Sequence, residues 1–374
     1  MNMQKEKEAV GMWKKWMTAL LISVLAVTVL GQGVQAASFK DMKKYKTSLY
    51  VEVNYLADEG IISGYPDGRF KPNEPIAKKH IAAMFVKALE LPTDDLKDPG
   101  YRDVPKNHPY YKEIAAAYTA GLFSKADRFK PESSISRAFM ARLMSKAFQL
   151  KVLDKGDYQP PYTDVRKKSE FYTDIMRVST NNVATGYPDG KFKPNHLITR
   201  GHFAAFLTRA MTVKQMNIMP NSDYTYYYTD SESMYRHDHE GINEENGLDY
   251  WRITNETEYE EIPRIGYMQN KSHYGAGAEN WTHFDTYLAH PFAVMQTHKD
   301  DGIGPANYGD IWINSTNAVK SVHGVKYHDV LVVENYLWWN KETIIEYYAQ
   351  DIGLIQKTNG KGNELYGLVK RVRN

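Results

Sequence analysis

The chain has 374 residues, no cysteine, and 47 basic against 45 acidic side chains, which gives a formal net charge of +2. The lack of cysteine excludes disulfides, thiolate metal sites and a cysteine nucleophile, and the near-even charge argues against a dedicated nucleic-acid-binding protein. With 42% hydrophobic and 25% charged residues, the composition is that of a folded protein, and the length predicts about two to four domains.

Residues 1–36 have the pattern of a secretory signal peptide. Four lysines precede an apolar run from Ala19 to Leu30, and residues 34–36 provide a small-x-small cleavage site. The apolar run is shorter than the roughly 20 residues that a membrane-spanning helix needs. We therefore expect export and cleavage, with no membrane span in the mature chain.

A set of motifs then recurs three times, with a period of about 61 residues. Each copy opens with an aromatic residue followed two positions later by aspartate, and each contains a Phe-Lys-Pro triplet. The aspartates are Asp41, Asp103 and Asp164, and the triplets begin at Phe70, Phe129 and Phe192. In the first and third copies the triplet ends the loops GYPDGRFKP and GYPDGKFKP, in which Pro and Gly favour a turn. Apolar residues at helical spacing flank the loop, so each unit is predicted to be helix, loop, helix.

The second helix of every copy begins with a signature whose third residue is a cation. The signatures are IAKKH, ISRAF and ITRGH, and the cations are Lys78, Arg137 and Arg200. A positive side chain in the first turn of a helix opposes the helix dipole, so local helix stability does not explain the recurrence. An anionic ligand at these positions would explain it, and a solvated surface cation is the alternative.

The aromatic-x-Asp opening, the GYPDG loop, the Phe-Lys-Pro triplet and the Thr-Arg motif resemble those of S-layer homology repeats, over about residues 37–215. That family holds exported proteins on bacterial cell walls. The resemblance implies an all-α, pseudo-threefold bundle whose grooves bind a pyruvylated secondary cell-wall polysaccharide attached to peptidoglycan. It assigns contact with the carboxylate of the sugar to Lys78, Arg137 and Arg200. Because guanidinium is a planar donor fork that matches a carboxylate, the groove with Lys78 is expected to be the weakest.

Two positions depart from the family pattern. The glutamate that ends the family's Ile-Thr-Arg-Ala-Glu motif is replaced by His80, Phe139 and His202, and the tryptophan often found early in the first helix is absent. Sugar stacking would therefore depend on three tyrosines near the start of the first helices, although a buried, hydrogen-bonded role for them is equally consistent with the sequence. These residues are Tyr50, Tyr111 and Tyr172.

From about Met216 the repeat ends and the composition changes. Residues 216–374 contain 16 of the 28 tyrosines and carry 13 basic against 23 acidic side chains, whereas residues 37–215 carry 30 basic and 20 acidic. Several β-rich runs predict a β-rich or α+β domain. The runs are Tyr250–Thr254, Phe292–Thr297, Val330–Glu334 and Thr343–Tyr348, with a glycine-containing hairpin at Asn359–Asn363. The sequence thus predicts a basic anchor joined to an acidic domain.

Candidate catalytic and metal-binding residues in the second half are few. His237 and His239 flank Asp238 and would share a face in a strand, but a transition-metal site needs a third ligand that this spacing does not supply. A polar surface loop between Ser231 and Gly247 is the favoured interpretation. No nucleophile elbow, zinc-protease helix, Walker loop or dinucleotide fingerprint occurs in the sequence, and no cofactor is expected.

The sequence therefore predicts a secreted, non-enzymatic cell-surface protein. Its parts are a signal peptide at 1–36, repeats at 37–94, 95–156 and 157–215, and a display domain at 216–374 that binds an unidentified ligand or protein. No nucleic-acid partner is expected. Two alternatives remain open for the second half, a wall hydrolase of unrecognised type and a structural component of a surface lattice.

Overall fold

The computed structural model describes residues 39–44, 46–153, 162–244, 247–258, 260–269, 273–278, 286–289, 292–293, 295–297, 309–337 and 340–374. The predicted signal peptide lies outside these residues. Helices and strands from Phe39 to Asn374 belong to one compact unit. Every helix in the described ranges is too short or too polar to traverse a bilayer.

Each repeat contributes two helices, as the spacing of its apolar residues predicts. They are α1 (Tyr50–Asp58) and α2 (Lys78–Ala88) in the first repeat, α3 (Tyr111–Thr119) and α4 (Arg137–Ala147) in the second, and α5 (Tyr172–Thr180) and α6 (Arg200–Thr212) in the third. Ser136 and Thr199 cap α4 and α6, each accepting a hydrogen bond from a backbone N–H three residues later, whereas Ala77 offers no cap to α2. The second helix of the first repeat therefore lacks the side-chain cap of the other two.

The second helix of each repeat packs against the first helix of the next, and the series closes on itself. Helix α2 packs against α3, α4 against α5, and α6 against α1. Phe85 in α2 and Phe203 in α6 are both fully buried, with ring centroids 6.0 Å apart in an edge-to-face arrangement. No repeat buries its apolar face alone, which is the usual reason for a repeat architecture.

Hydrogen bonds also join the segments that precede the second helices. The backbone N–H of Ile76 donates to the carbonyl of Ile198 at 3.3 Å, and the N–H of Ile198 donates to the carbonyl of Ile135 at 2.9 Å. The Ser134 hydroxyl donates to the Ile76 carbonyl at 2.7 Å. All three isoleucines are buried, so the three signatures meet in the interior of the helical part.

The described strands between Tyr224 and Arg373 form an antiparallel sheet, which confirms the predicted combination of a helical region and a β-rich region. The strands are β1 (Tyr224–Thr229), β2 (Met234–Ile242), β3 (Asp249–Asn255), β4 (Glu260–Gln269), β5 (His273–Ala278), β6 (Thr286–Ala289), β7 (Met295–Thr297), β8 (Gly309–Val322), β9 (Val325–Leu337), β10 (Glu342–Ala349), β11 (Gly353–Asn359) and β12 (Glu364–Arg373). In the part of the chain that the structure describes, these twelve strands lie in the order β6-β5-β4-β3-β2-β1-β12-β11-β10-β9-β8-β7. The sheet is thus two meanders joined by pairing of the first strand with the last.

Most of the predicted β-rich runs fall within these strands. The runs Tyr250–Thr254, Val330–Glu334 and Thr343–Tyr348 lie in β3, β9 and β10, and the turn at Asn359–Asn363 connects β11 to β12. Within Phe292–Thr297, β7 covers Met295–Thr297, and Phe292 forms a bridge to Lys214. The predicted polar loop between Ser231 and Gly247 is wrong, because β2 occupies Met234–Ile242.

The sheet curls around an aromatic core. Tyr274 in β5 and Tyr348 in β10 are seven places apart in the strand order, which corresponds to about 34 Å in a flat sheet at roughly 4.8 Å per strand. Their ring centroids are nevertheless 5.7 Å apart. Tyr226, Tyr228 and Trp251 are buried in the same core. Much of the tyrosine enrichment of the second half therefore supplies the interior of the curled sheet.

The helical part contacts the sheet directly. Lys214, just after α6, exchanges two backbone hydrogen bonds of 2.7 and 2.9 Å with Phe292. The hydroxyl of Thr316 in β8 donates to the carbonyl of Thr212 at 2.7 Å. The ammonium group of Lys44 lies 2.8 Å from a carboxylate oxygen of Glu334 in β9, whose side chain is 5% exposed. Contacts from both the first and the third repeat therefore fix the sheet against the helices.

A buried ion pair joins the first repeat to the third. Nε and Nη2 of Arg209 in α6 both donate to one carboxylate oxygen of Glu52 in α1, at 3.1 and 2.5 Å. The two residues are 6% and 0% exposed, and the Thr208 hydroxyl donates to the Glu52 carbonyl at 2.8 Å. A buried carboxylate depends strongly on its cationic partner, because no water can solvate the carboxylate once the cation is removed.

Replacing Arg209 by Met should lower the free energy of unfolding by about 3–5 kcal/mol, because it leaves the Glu52 carboxylate buried without its cation. Denaturation of the mature chain in urea measures the loss. The matched control is Arg102→Met, which removes one member of the exposed Arg102–Asp127 pair at 2.8 Å and should cost less than about 1 kcal/mol. Equal losses in the two variants would contradict a role for the buried pair in closing the repeats.

Candidate functional site

The aspartate of each aromatic-x-Asp opening binds the backbone of the Phe-Lys-Pro triplet in its own repeat. The Asp103 carboxylate accepts hydrogen bonds from the N–H groups of Phe129 and Lys130, both at 2.8 Å. The same contacts, at 2.7–2.9 Å, join Asp41 to Phe70 and Lys71, and Asp164 to Phe192 and Lys193. Burial acts to raise the pKa of Asp103, but the hydrogen bonds from the Phe129 and Lys130 backbone outweigh it and lower the pKa. The carboxylate is therefore held in its charged form.

The lysine of each triplet has an unusual backbone conformation that makes this contact possible. Lys71, Lys130 and Lys193 have φ values of 59°, 59° and 57°, in the left-handed region that non-glycine residues rarely occupy. Successive N–H groups in such a turn can point at one anion. The conserved geometry in the three copies is thus a backbone cradle filled by the repeat's own aspartate.

Each predicted cation reaches into the triplet of the next repeat. In the same cyclic order as the helix packing, the side chains donate to the carbonyl of the triplet phenylalanine. The bonds are Lys78 Nζ to Phe129 at 3.0 Å, Arg137 Nε to Phe192 at 2.9 Å and Arg200 Nε to Phe70 at 2.9 Å. The structure therefore brings every predicted cation to the junction between two repeats.

The backbone N–H groups at the starts of α2, α4 and α6 also donate to carbonyls of the next repeat. In α4 the N–H groups of Arg137 and Ala138 donate to the carbonyls of His196 and Pro194 at 2.9 and 3.0 Å, and α2 and α6 make the equivalent contacts. The first N–H groups of a helix have no partner within the helix. The neighbouring repeat supplies that partner, so the backbone of each helix start and the side chain of its cation both bind the neighbouring repeat.

The cations are largely removed from solvent. Arg137 and Arg200 are 3% and 6% exposed, and burial lowers the pKa of both guanidinium groups and of the Lys78 ammonium. Within the described residues none of the three forms an ion pair within 4.0 Å. Each junction therefore contains a partly buried positive charge with carbonyl partners and no directly bound carboxylate.

Tyrosines of the GYPDG loops lie over two of these cations. The Tyr187 ring centroid is 4.9 Å from the Arg137 guanidinium and 4.0 Å from Lys193 Nζ. Tyr65 is placed in the same way, 4.8 Å from Arg200 and 4.3 Å from Lys71. At the remaining junction Phe123 lies 5.3 Å from Lys78 Nζ. Two junctions thus pair a guanidinium with a phenol, and the third pairs an ammonium with an apolar ring.

The three tyrosines predicted for sugar stacking occupy equivalent places at the start of α1, α3 and α5, and are half-buried. Tyr110, the residue before Tyr111, contacts the start of α2, with its ring 5.5 Å from the His80 ring and 5.4 Å from Lys79 Nζ. Tyr110, Tyr65 and Tyr187 were not predicted from the sequence, although the last two belong to the GYPDG motif.

Comparison with known proteins identifies the helical part. A family model described as S-layer homology domain matches residues 38–79, 100–141 and 161–204. The chain carries three S-layer homology (SLH) domains. An S-layer protein of Bacillus licheniformis is 36% identical over 174 residues, which are 46% of this chain and 19% of that protein. The S-layer protein EA1 of Bacillus anthracis is 34% identical over 173 residues, again 46% of this chain and 19% of the relative.

Further comparisons concern other relatives and solved structures. A protein of Bacillus anthracis named as an uncharacterized cell wall amidase is 27% identical over 202 residues, which are 53% of this chain and 36% of that protein. A putative exported protein of Bacteroides fragilis overlaps 42% of this chain and all of its own at 12% identity, with a TM-score of 0.25, too low to indicate a common fold. The chain spans about a fifth of the length of its two S-layer relatives. The SLH domains and these relatives indicate a secreted protein of the cell wall or cell surface.

The His-Asp-His triplet lies outside the SLH domains, in β2, and its two histidines have structural partners. His237 is buried, and its Nε2 lies 2.6 Å from the Tyr366 hydroxyl. His239 Nε2 lies 2.6 Å from a carboxylate oxygen of Asp249. Across the described part of the chain, no three His, Asp or Glu side chains are grouped to hold a metal ion. His237 lies in strand β2 and its side chain points into the core, so the predicted surface loop is wrong at this residue.

The burial of His237 makes the stability of the sheet sensitive to acid. Burial lowers its pKa to about 3 from an ordinary 6.5, so the neutral form stabilises the fold above pH 6.5 and this contribution is lost as the pH falls from 6.5 towards 3. Between pH 6.5 and 5 the loss should reach about 2 kcal/mol. In His237→Gln the free energy of unfolding should vary less over this interval, measured by urea denaturation at each pH. The exposed control His328→Gln should keep the wild-type slope, and a wild-type slope in His237→Gln would contradict the assignment.

Proposed function

We propose that the three SLH domains anchor the protein non-covalently to the cell wall by binding an anionic, pyruvylated secondary cell-wall polysaccharide at the junctions between repeats. Residues 37–215 are the anchor in this proposal, and residues 216–374 are a display domain that binds a ligand or protein outside the cell. The observation that carries the proposal is the recurrence, at every junction, of a fixed cation to which no carboxylate of the described residues is directly bound. The SLH family itself supports the class of ligand.

The three junctions are proposed to be related by a pseudo-threefold axis. Support comes from the cyclic order of helix contacts and from the matching cyclic order of the cation-to-carbonyl hydrogen bonds. A polymer with repeated charged sugars can occupy more than one such junction at a time. Simultaneous contacts on one compact unit raise the overall affinity well above that of a single contact.

The local chemistry suits a sugar carboxylate. At the Arg137 junction the guanidinium is held by the Phe192 carbonyl at 2.9 Å and the Thr185 carbonyl at 3.2 Å, so little side-chain freedom remains to be lost on binding. Tyr187 beside it offers a flat apolar face with a polar hydroxyl. Because the Lys78 junction has Phe123 and a single ammonium nitrogen, we propose that it binds most weakly.

Substitutions of the junction cations test this proposal. A change to Gln removes the charge, whereas a change from Arg to Lys keeps the charge and removes the planar donor fork. In Arg137→Gln/Arg200→Gln, the mature chain should lose at least about tenfold in retention on purified cell walls, because two charge-assisted contacts of about 1.5–3 kcal/mol each are removed. Lys78→Gln alone should lose less. Arg137→Lys/Arg200→Lys, which copies the first repeat, should be intermediate. Co-sedimentation with walls over a range of protein concentrations gives the apparent affinities.

Two controls make this result interpretable. Arg102→Gln/Arg128→Gln removes the same charge from exposed positions, where the side chains are 77% and 62% exposed, and should leave retention unchanged. Urea denaturation of every variant shows whether the junctions still close. Loss of retention in the exposed pair equal to that in the junction pair would contradict a specific role for Arg137 and Arg200, as would full retention in the junction pair.

A further inference from the structure

The acidic second half contains a cluster of cations that its own carboxylates do not balance. We call Lys320, Lys326, Lys370, Arg371 and Arg373 the basic rim. None of the five forms an ion pair among the residues that the structure describes, within the 4.0 Å limit. They belong to a region that carries 13 basic and 23 acidic side chains, so partners of opposite charge are abundant elsewhere in the same sheet.

The arginines of the other meander show the contrast. Arg236 pairs with Asp238 and Glu256 at 2.7 and 2.8 Å. Arg252 and Arg264 both pair with Glu240. Acidic residues therefore neutralise the exposed arginines of β2, β3 and β4. In the rim, by contrast, several cations lie together without this compensation from the described carboxylates.

The register of the strands places the rim at one end of the curled sheet. The last residues of β12 pair with the first residues of β1, with Arg373 opposite Tyr224 and Lys370 opposite Tyr227. Lys320 and Lys326 flank the turn between β8 and β9, where Lys320 is opposite Tyr327.

The turn and β12 meet in space, although their strands are not neighbours in the sheet. Strand β8 contacts β12. Burial raises the pKa of the Tyr327 hydroxyl, and the positive charge of Arg371 partly opposes this rise. Such an influence requires the two side chains to be close. The β8–β9 hairpin, which carries Lys320 and Lys326, therefore lies near the end of β12.

Aromatic rings hold three of these cations in place. Lys370 Nζ lies 4.6 Å from the Tyr227 ring centroid, and the Arg371 guanidinium lies 4.7 Å from that of Tyr224. Lys320 Nζ is 3.8 Å from the Tyr347 ring. A cation–π contact fixes the position of a charge without neutralising it. Three charges of the rim are thus held in place and stay available to an anion.

We propose that the basic rim binds a linear anionic polymer of the cell wall, as a second wall contact apart from the SLH junctions. Successive residues of a strand point to opposite faces, so Lys370 and Arg371 lie on either side of β12, and no single small anion can contact the whole rim. A chain with repeated phosphate or carboxylate groups can pass over the end of the sheet and meet the cations in turn. The rim would then add wall affinity that falls steeply with salt, because each bound cation releases counterions.

A lipid surface fits these residues less well. The turn at the tip consists of His323 and Gly324, both exposed. The exposed apolar side chains at the turn and within the rim are valines, Val319, Val325 and Val372, at 55%, 47% and 47% exposure. The tyrosines of the rim lie under the cations and are half-buried. Among the residues that the structure describes, the rim therefore offers no free aromatic side chain to a bilayer interface, where Trp and Tyr normally provide the anchor.

The test uses the mature full chain and inorganic polyphosphate as the probe, with affinity measured over a series of salt concentrations. The rim variant is Lys370→Gln/Arg373→Gln, which leaves Arg371 against its ring. We expect about tenfold weaker binding and a salt dependence lower by about one unit of slope per cation removed. The matched control is Lys341→Gln/Lys361→Gln, two exposed lysines in other turns of the same sheet, which should match the wild type.

Each other outcome overturns the proposal. Equal weakening in the rim and control variants would show a general charge effect, and unchanged binding in the rim variant would show that the rim does not bind. If the rim variant lost binding to vesicles that contain phosphatidylglycerol but kept its binding to polyphosphate, the rim would be assigned to a lipid surface. Repeating the series in the Arg137→Gln/Arg200→Gln background keeps the result separate from the SLH junctions, since the rim effect should persist there. Urea denaturation confirms that both variants fold.

Discussion

The peptide that links Phe and Lys in each Phe-Lys-Pro triplet is the point on which the helical half depends. In the second repeat the carbonyl of Phe129 accepts from Lys78 of the preceding repeat, while the N–H of Lys130 donates to Asp103 of the same repeat. The left-handed backbone conformation of the triplet lysine is compatible with both contacts at once. Repeated three times in cyclic order, this arrangement joins loop to loop and helix to helix. The buried Glu52–Arg209 pair reinforces the junction where the last repeat returns to the first.

The same constraint connects structure to the proposed function. A cation that only packed one repeat on the next could be replaced by any donor to a carbonyl. In two junctions the cation is instead an arginine under a tyrosine of the GYPDG loop, which is a combination suited to a charged sugar. In the proposed mode of binding, structural and ligand-binding roles coincide in one side chain. For this reason the Arg-to-Lys variants, which keep the structural contact, are more informative than deletion of the charge.

The repeats could be predicted from the sequence because their signals are local: helical spacing, turn residues and a recurring cation. The cyclic partners of Lys78, Arg137 and Arg200 could not, since each acceptor lies some 50 to 130 residues away. The same limit applies to the sheet, whose strands were largely visible but whose curl brings β5 against β10. His237 was misjudged because a polar triplet in isolation favours a surface loop, and its burial depends on Tyr366, 129 residues later.

The central claim is that the SLH junctions recognise a carboxylate on the wall polysaccharide. The most direct measurement is calorimetric titration of the mature chain with the purified polysaccharide, native and after removal of its pyruvyl groups. The account predicts binding to the native polymer and a loss of at least about tenfold in affinity for the stripped polymer, because charge-assisted contacts disappear. Equal affinity for the two polymers would contradict it.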